Sequence, residues 1–358
     1  MMNNTEIRVG IIGLGKISQT KYIPALHRHS YANIVGLCDK SRSLSEKIAE
    51  YYGYGKDCIA ASIEELIAKN PHLVFILTHD HYNVAKALLN SGISVCVEKP
   101  LCWSSAQAEE LYALAQEKGA SLYACYMKQF DPAFVAFRER IAESGLPLMI
   151  NISCFAGNNK KWCDPLYKII KENADEKSDA KQELKKAWDK FYSEDCTGKQ
   201  QDRSNSQLLL QLGIHQINLL HALVDDIDID SFTAIDDNGV RKIFCTGMSE
   251  KLRINYTLIP LFNAPWVWKE KFEALYSDKV LEYEPGCPFL ISADSTLRVC
   301  QGNDMMENSV YRFGYEDYFY TMIDHILNTF EQGVTPDYRC SAESAIKDIR
   351  FIETMLME

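Results

Sequence analysis

The sequence predicts a doubly wound α/β domain followed by an α+β domain built on an open, mostly antiparallel sheet. Three observations carry this. Over residues 7–125, short apolar runs alternate with helix-period stretches, as parallel strands covered on both faces require. The first of those runs empties into a cluster of glycines. Beyond Tyr126 the alternation stops, and strand-like segments separated by turn residues follow from Ile227 to about Val299.

Each element has its own signal. Ile7–Ile12 is a β-branched apolar run, followed by a helical stretch from about Lys16 to Arg28 and a second strand over Asn33–Cys38. Helices near Ser43–Tyr52 and Ile63–Lys69 precede a short strand, His72–Leu77, and a helix through Val84–Leu89. Ile93–Val97, the amphipathic Ser104–Lys118 and Ser121–Cys125 complete the first domain. After it come a helix over Pro132–Glu143 and a strand over Leu148–Phe155. A run from Leu166 to Tyr192 is helical in period and dense in Lys, Asp and Glu, which marks a solvated insertion. Leu208–Val224 reads as an apolar helix, and helices near Tyr315–Gln332 and Ser341–Leu356 close the chain. Asn263-Ala264-Pro265-Trp266 reads as a core or oligomer element. The expected division is residues 1–126 and 127–358, with a helical insertion at about 165–195; 358 residues suit two cores better than one.

Composition narrows the functional classes. At 47% hydrophobic and 24% charged, the chain has the make-up of a globular protein. A net charge of −11 argues against nucleic acid or an anionic membrane as the partner, since both call for a basic face. No apolar stretch approaches the roughly 20 residues of a bilayer span, and the polar Met1–Arg8 carries no secretory signal. Twelve cysteines are scattered without a C-x-x-C pair. Reduced thiols in a cytoplasmic protein, with no structural metal, are therefore expected.

The first strand runs into Gly13-Leu14-Gly15-Lys16-Ile17-Ser18. In a dinucleotide-binding (Rossmann) domain the first glycine makes a tight turn. The second lets a pyrophosphate approach the backbone, and the following helix offers its free N–H groups. Ser18 stands at the third small position. Asp39 ends the second strand, twenty-one positions after Ser18, where a carboxylate accepts hydrogen bonds from the adenosine ribose and repels a 2′-phosphate. This favours NAD. Lys40 and Arg42, either of which can pair with a 2′-phosphate, keep NADP as the alternative.

The fifth strand ends in Glu98-Lys99-Pro100, at the carboxyl edge where such sheets present residues to their ligand. A partly desolvated lysine beside a nicotinamide ring can take or give the proton that accompanies hydride transfer. Pro100 restricts the backbone of Lys99 and helps to aim it.

Gly13–Ser18, Asp39, the segment Gly92 to Pro100 and Leu212-Gly213-Ile214-His215 occur in this order. Together they resemble the glucose–fructose oxidoreductase/inositol dehydrogenase (Gfo/Idh/MocA) family, over almost the whole chain. The resemblance implies an oxidoreductase that moves a hydride between a nicotinamide and a carbinol or carbonyl carbon of a sugar-like or cyclitol-like molecule. It also implies a homodimer or homotetramer formed through the second domain's sheet. It makes Lys99 and His215 the catalytic candidates, with Gln211 and Lys128 toward the substrate; for Lys128, a structural role in the crossover between the domains is the equal alternative. Gly13, Gly15, Lys16, Ile17, Asp39, Thr78, His79, Glu98 and Lys99 fall to the cofactor.

The departures matter. The family's Asp, one helical turn before the histidine and on its face, is Gln211 here. Its Thr-Pro turn reads Thr78-His79, a later histidine is Asn83, and the end of its His-x-x-Asp is Asn218. His81 is a nearby substitute for the missing groups, and His221 reads as a core residue. Two further functions stay open on these grounds: reduction of an imine or another conjugated double bond, and a non-catalytic protein that keeps its cofactor site.

Overall fold

The computed structural model describes residues 6–157, 164–174, 180–194, 203–261, 264, 267–290, 293–302, 307–314 and 317–358. The contacts divide the chain into two units, residues 1–126 with 169–203 and 322–350, and residues 127–168 with 204–321 and 351–358. Two stretches that the expected division assigned to the second domain thus belong with the first.

In the first unit the strands are β1 (Ile7–Ile12), β2 (Ala32–Cys38), β3 (Ile59–Ala60), β4 (Leu73–Ile76), β5 (Ser94–Glu98) and β6 (Leu122–Cys125). They form a parallel sheet in the order β3-β2-β1-β4-β5-β6. The direction of winding reverses between β1 and β4, so a ligand crevice opens there at the carboxyl edge. Helix α1 (Ile23–Arg28) follows β1, α2 (Arg42–Tyr52) follows β2, and α3 (Ile63–Ala68) follows β3. Helix α4 (Tyr82–Asn90) follows β4 and α5 (Ser105–Lys118) follows β5. Every residue of β4, β5 and β6 is buried, as strands covered on both faces must be.

The starts and stops follow local chemistry. Ser41 caps α2 by accepting the Leu44 N–H at 3.1 Å, and Ser104 caps α5 through the Gln107 N–H at 3.3 Å. Both helices end on a left-handed glycine, Gly53 (φ 75°) and Gly119 (φ 63°).

In the second unit β7 (Met149–Gly157), β8 (Asp228–Asp237), β9 (Val240–Ser249) and β10 (Leu252–Leu261) join β11 (Trp268–Leu275), β12 (Lys279–Glu284), β13 (Ser295–Gln301) and β14 (Glu307–Phe313). Their order is β14-β13-β12-β11-β7-β10-β9-β8; β10 and β7 run parallel, and the other pairs are antiparallel. One face of the sheet is buried, with strict alternation along β7 and β10. Helix α6 (Pro132–Ser144) lies against β12 and β13. Its cap Asp131 accepts the Ala133 N–H (2.9 Å), the Tyr283 hydroxyl (2.9 Å) and the Ser295 hydroxyl (2.6 Å). Burial pushes the Asp131 carboxyl up, while these donors hold it down.

Two expectations need correction, and a third falls outside the described residues. The apolar helix expected over 208–224 is broken: α8 (Arg203–Leu208) passes into a π turn, Leu209–Gly213, before α9 (Ile214–His221). The insertion is helical only in its later part, α7 (Ala180–Glu194), whereas residues 167–174 are irregular and 175–179 lie outside the described residues. Asn263, Pro265 and Trp266 also lie outside them. The closing helices are α10 (Tyr318–Glu331) and α11 (Ala342–Met355). Among the described residues no helix is long and apolar enough to cross a membrane.

The second unit buries one ion pair. Lys128 Nζ bonds Glu270 Oε2, with the side chains 3% and 1% exposed, and the ammonium stands 5.9 Å from the Trp268 ring centroid. Removing the cation alone strands a buried carboxylate, which costs about 3–5 kcal/mol. Lys128→Met is expected to lower the unfolding free energy, read from urea titration, by that much, and Lys128→Met/Glu270→Leu by much less. A double substitution as costly as the single one would refute this account.

Candidate functional site

The carboxyl edge of the parallel sheet brings most of the sequence-predicted cofactor residues together. Gly13 has φ +89°, and its N–H donates to Cys38 O at 2.9 Å. A Cβ there would lie 2.8 Å from the Leu77 carbonyl and 2.9 Å from Thr78 Cγ2, so only glycine fits between the ends of β1 and β4. Gly15 is the opposite case. A Cβ on it would meet no protein atom within 4 Å. The backbone at Gly15 therefore faces open space, which is the cradle a pyrophosphate requires.

Asp39 closes the loop on its other side. One carboxylate oxygen accepts the Leu14 N–H at 2.8 Å and the other accepts the Ser41 N–H at 2.9 Å. Asp39 is thus both the acid expected to face a ribose and the brace of the glycine turn. Lys16 and Ile17 are already helical, and Ser18, wholly buried, begins a π turn over Ser18–Tyr22 that leads into α1. The small side chain at position 18 lets this turn lie against the sheet.

After β4, Thr78 donates its hydroxyl to Asp80 O at 3.1 Å. His79 is exposed, and its crowded setting together with the charge of Lys40 holds its imidazole below the usual range. His81 is buried, with Nδ1 2.6 Å from Pro100 O and Nε2 2.6 Å from Thr78 O. Both ring nitrogens are thus committed to backbone carbonyls, and the residue ties the loop after β4 to the Glu-Lys-Pro turn. Burial favours its neutral form, which donates to one carbonyl at a time. His81 therefore serves as a clamp and has no ring nitrogen left for a substrate.

Glu98 is buried, and its carboxyl is pushed up by that burial. Three groups oppose the shift: the charge of Lys99, the Tyr22 hydroxyl, which donates to Oε1 at 2.5 Å, and the Lys99 N–H, which donates to Oε2 at 3.0 Å. Glu98 thereby fixes the backbone of Lys99 from beneath, and the Lys99 side chain is half-buried. The Lys99–Pro100 peptide is cis.

The second unit holds the other expected residues. His215 sits on α9, 8% exposed, directly after the π turn that contains the exposed Gln211. Positions 211 and 215, four apart across this wider turn, remain about one turn apart. A Cβ on Gly213 would come within 2.8 Å of the Tyr256 hydroxyl, which seats this turn on β10. Asn218 does not stand open to a substrate either. Its Oδ1 accepts Gln129 Nε2 at 2.8 Å, and Gln129 also donates to Asn218 O at 3.0 Å. Lys128, expected to point a cation at substrate, is instead buried on Glu270.

Tyr22, Gln129 and Glu270 were missed from the sequence. Each acts through a partner at least 76 positions away, and no local spacing signals that. Among the described residues one His–Asp–Cys grouping, His325, Asp337 and Cys340, has ligand atoms within 4.8 Å of one another. A cation already serves it: Arg339 donates to Asp337 at 2.7 Å and lies 3.3 Å from His325 Nδ1.

Comparison with known proteins agrees with this geometry. Residues 7–126 match the family model described as oxidoreductase family, NAD-binding Rossmann fold (GFO_IDH_MocA). The oxidoreductase YceM of Salmonella typhimurium is 33% identical over 137 residues, 38% of this chain and 43% of that protein. The myo-inositol dehydrogenase Hyg17 of Streptomyces leeuwenhoekii is 29% identical over 136 residues, 37% of this chain and 40% of that one. The match thus spans well under half the length of these relatives. Among solved structures, a dehydrogenase (MviM) from Clostridium difficile superposes with a TM-score of 0.73 at 21% identity, covering 98% of this chain and 99% of that one. At that identity the likeness concerns the fold.

The two glycines give a test. Gly15→Val is expected to leave the thermal midpoint within about 2 °C, since a change within ±0.5 kcal/mol is usual where nothing is touched. It should abolish dinucleotide binding by calorimetry. Gly13→Val should lower the midpoint by several degrees, because it meets backbone at 2.8 Å with φ +89°. Full cofactor affinity in Gly15→Val would rule out the cradle.

Proposed function

We propose, from the premise that residues 7–126 belong to the Gfo/Idh/MocA family of NAD(P)-dependent dehydrogenases and reductases, that this chain oxidises a carbinol or reduces a carbonyl on a sugar-like or cyclitol-like small molecule. The observation that carries the reading is the conjunction at one sheet edge of an open Gly15, an Asp39 bound to the glycine turn, and a half-buried Lys99 held from below by Glu98. The relative named for myo-inositol supports the polyhydroxylated substrate class.

A nicotinamide dinucleotide, when bound, supplies the hydride acceptor or donor. This chain's residues do the rest. The Gly13–Ile17 loop receives the pyrophosphate, with Thr78 and His79 beside it at the end of β4. The carboxylate of Asp39 takes up the adenosine ribose, which favours NAD over NADP. Lys99 Nζ takes the hydroxyl proton as the hydride leaves, or returns it in the reverse direction. The neutral form of Lys99 is the base and its ammonium the acid. His215 is the second proton-handling group, by resemblance, and Gln211 orients substrate hydroxyls as a neutral donor and acceptor.

A second reading has a specific observation behind it. The charges usual at two positions are replaced by amides, and Asn218 is spent on Gln129. A site with fewer carboxylates suits a substrate that needs no strong base, such as an imine.

Binding of NAD, NADH, NADP and NADPH, followed by a panel of sugars, cyclitols and cyclic imines, tests both readings. Turnover of a polyol with cofactor reduction is expected. Lys99→Met should lower kcat by about 10²–10⁴-fold, the usual weight of one general acid–base group, while changing cofactor Kd only a few-fold. Turnover unaffected by Lys99→Met would sink the assignment. Consumption of reduced cofactor by imines alone would establish the second reading.

A further inference from the structure

Between β7 and α8 lies a stretch, residues 169–203, that belongs to the first unit. It is attached to that unit in two places. The first attachment is Ile170–Asn173. Gln19, on the π turn after the glycine loop, bonds Ile170 in both directions: its Nε2 donates to Ile170 O at 3.1 Å, and its Oε1 accepts the Ile170 N–H at 2.8 Å. The same Nε2 donates to Leu14 O at 2.8 Å, inside the glycine loop. Three residues on, the Asn173 N–H donates to Ser43 Oγ at 2.9 Å. Lys47 Nζ donates to Lys171 O at 3.0 Å and to Asn173 Oδ1 at 2.8 Å.

Four residues of backbone therefore run from the start of the helix after β1 to the first turns of the helix after β2. Those are the two helix starts that flank Asp39. The second attachment is α7, whose Trp188 stacks on Trp103 with centroids 4.5 Å apart and rings 15° from parallel. Trp188 is 2% exposed, and Trp103 follows Lys99 by four positions. The insertion is thus pinned near the adenosine end of the expected cleft and, separately, near its nicotinamide end.

The two attachments differ in kind. The second is a buried aromatic contact. The first is made by hydrogen bonds, all but the Lys47–Asn173 one between a side chain and backbone, and Ile170 to Asn173 are exposed or half-exposed. A segment held in that way opens without unmaking a core.

We propose that Ile170–Asn173 is a strap that retains the dinucleotide, with Gln19 as the positioning residue that couples it to the glycine loop. The strap lies back for the cofactor to enter, then closes on Gln19, Ser43 and Lys47. Its release limits the rate at which cofactor leaves, and α7 on Trp103 keeps it tethered while open. This rests on the dinucleotide reading above.

The test combines release kinetics with amide exchange. NADH or NADPH, whichever binds, is chased from the protein with excess oxidised cofactor while nicotinamide fluorescence is followed. Wild type is compared with Gln19→Met and with Ser43→Ala/Lys47→Met, which leaves the glycine loop untouched. Release is expected to accelerate at least tenfold in both variants. Hydrogen exchange should show the Ile170 and Asn173 amides slowed at least tenfold by cofactor in wild type and much less in the variants. Cofactor binding with release unchanged in Ser43→Ala/Lys47→Met, or with those two amides indifferent to cofactor, overturns the strap alone. Absence of binding by any of the four dinucleotides overturns the cofactor reading and the strap's role with it. Amide protection in the free protein still reports, in that case, whether the clasp itself forms.

Discussion

The hydrogen bond from the Leu14 N–H to Asp39 is the constraint on which the first unit's functional edge depends. It joins the exits of two neighbouring parallel strands through a charged acceptor, which makes it stronger than a neutral bond. It braces the glycine turn from the protein's own side chains. From that fixed turn the other contacts radiate. Gly13 fills the gap against Leu77 and Thr78, Thr78 O meets His81, and His81 meets Pro100 O beside Lys99. A pre-set loop matters because a site ordered only on binding pays that ordering out of its affinity.

Much of this edge was legible in the sequence, for a physical reason. Parallel strands buried on both faces must be apolar throughout, so β1, β2, β4, β5 and β6 stand out as runs, and the glycine turn, Asp39 and Lys99 sit where those runs end. β3, two residues long, and β14, exposed along nearly its whole length, have no such signature. Side chains that act across the fold were equally hidden. Tyr22 reads as an apolar helix position, and nothing near it in sequence shows that its hydroxyl meets Glu98. Lys128 looked like a cation available to substrate because Glu270, its counter-ion, comes 142 positions later. The insertion's helical period was real in α7. Its earlier part carries helix-compatible residues but spends its backbone on Gln19 and Ser43.

The residues that depart from the family pattern form a consistent set. Asn218 would carry a charge as aspartate, and a buried aspartate needs a cation or several donors. Here the partner is Gln129, and amide meets amide without net charge. The same unit already buries one ion pair, Lys128 with Glu270. A charge at position 218, where the side chain is buried, would likewise have to be desolvated. A neutral amide at position 218 therefore fits the electrostatics around it.

Two π turns lie next to residues of the candidate site: Ser18–Tyr22 follows the glycine loop, and Leu209–Gly213 leads into His215. A π turn carries an extra residue relative to α and leaves poorer backbone geometry, so it survives where the shift it causes is used. In the first, the shift accompanies a buried Ser18 against the sheet and a Tyr22 hydroxyl on Glu98, four positions apart on one short segment. In the second, it leaves Gln211 exposed and His215 buried, with Gly213 against the Tyr256 hydroxyl between them. The sequence hides both turns, because apolar periodicity averages over one added residue. The irregularity falls at the positions where orientation of a polar side chain decides what the site can do.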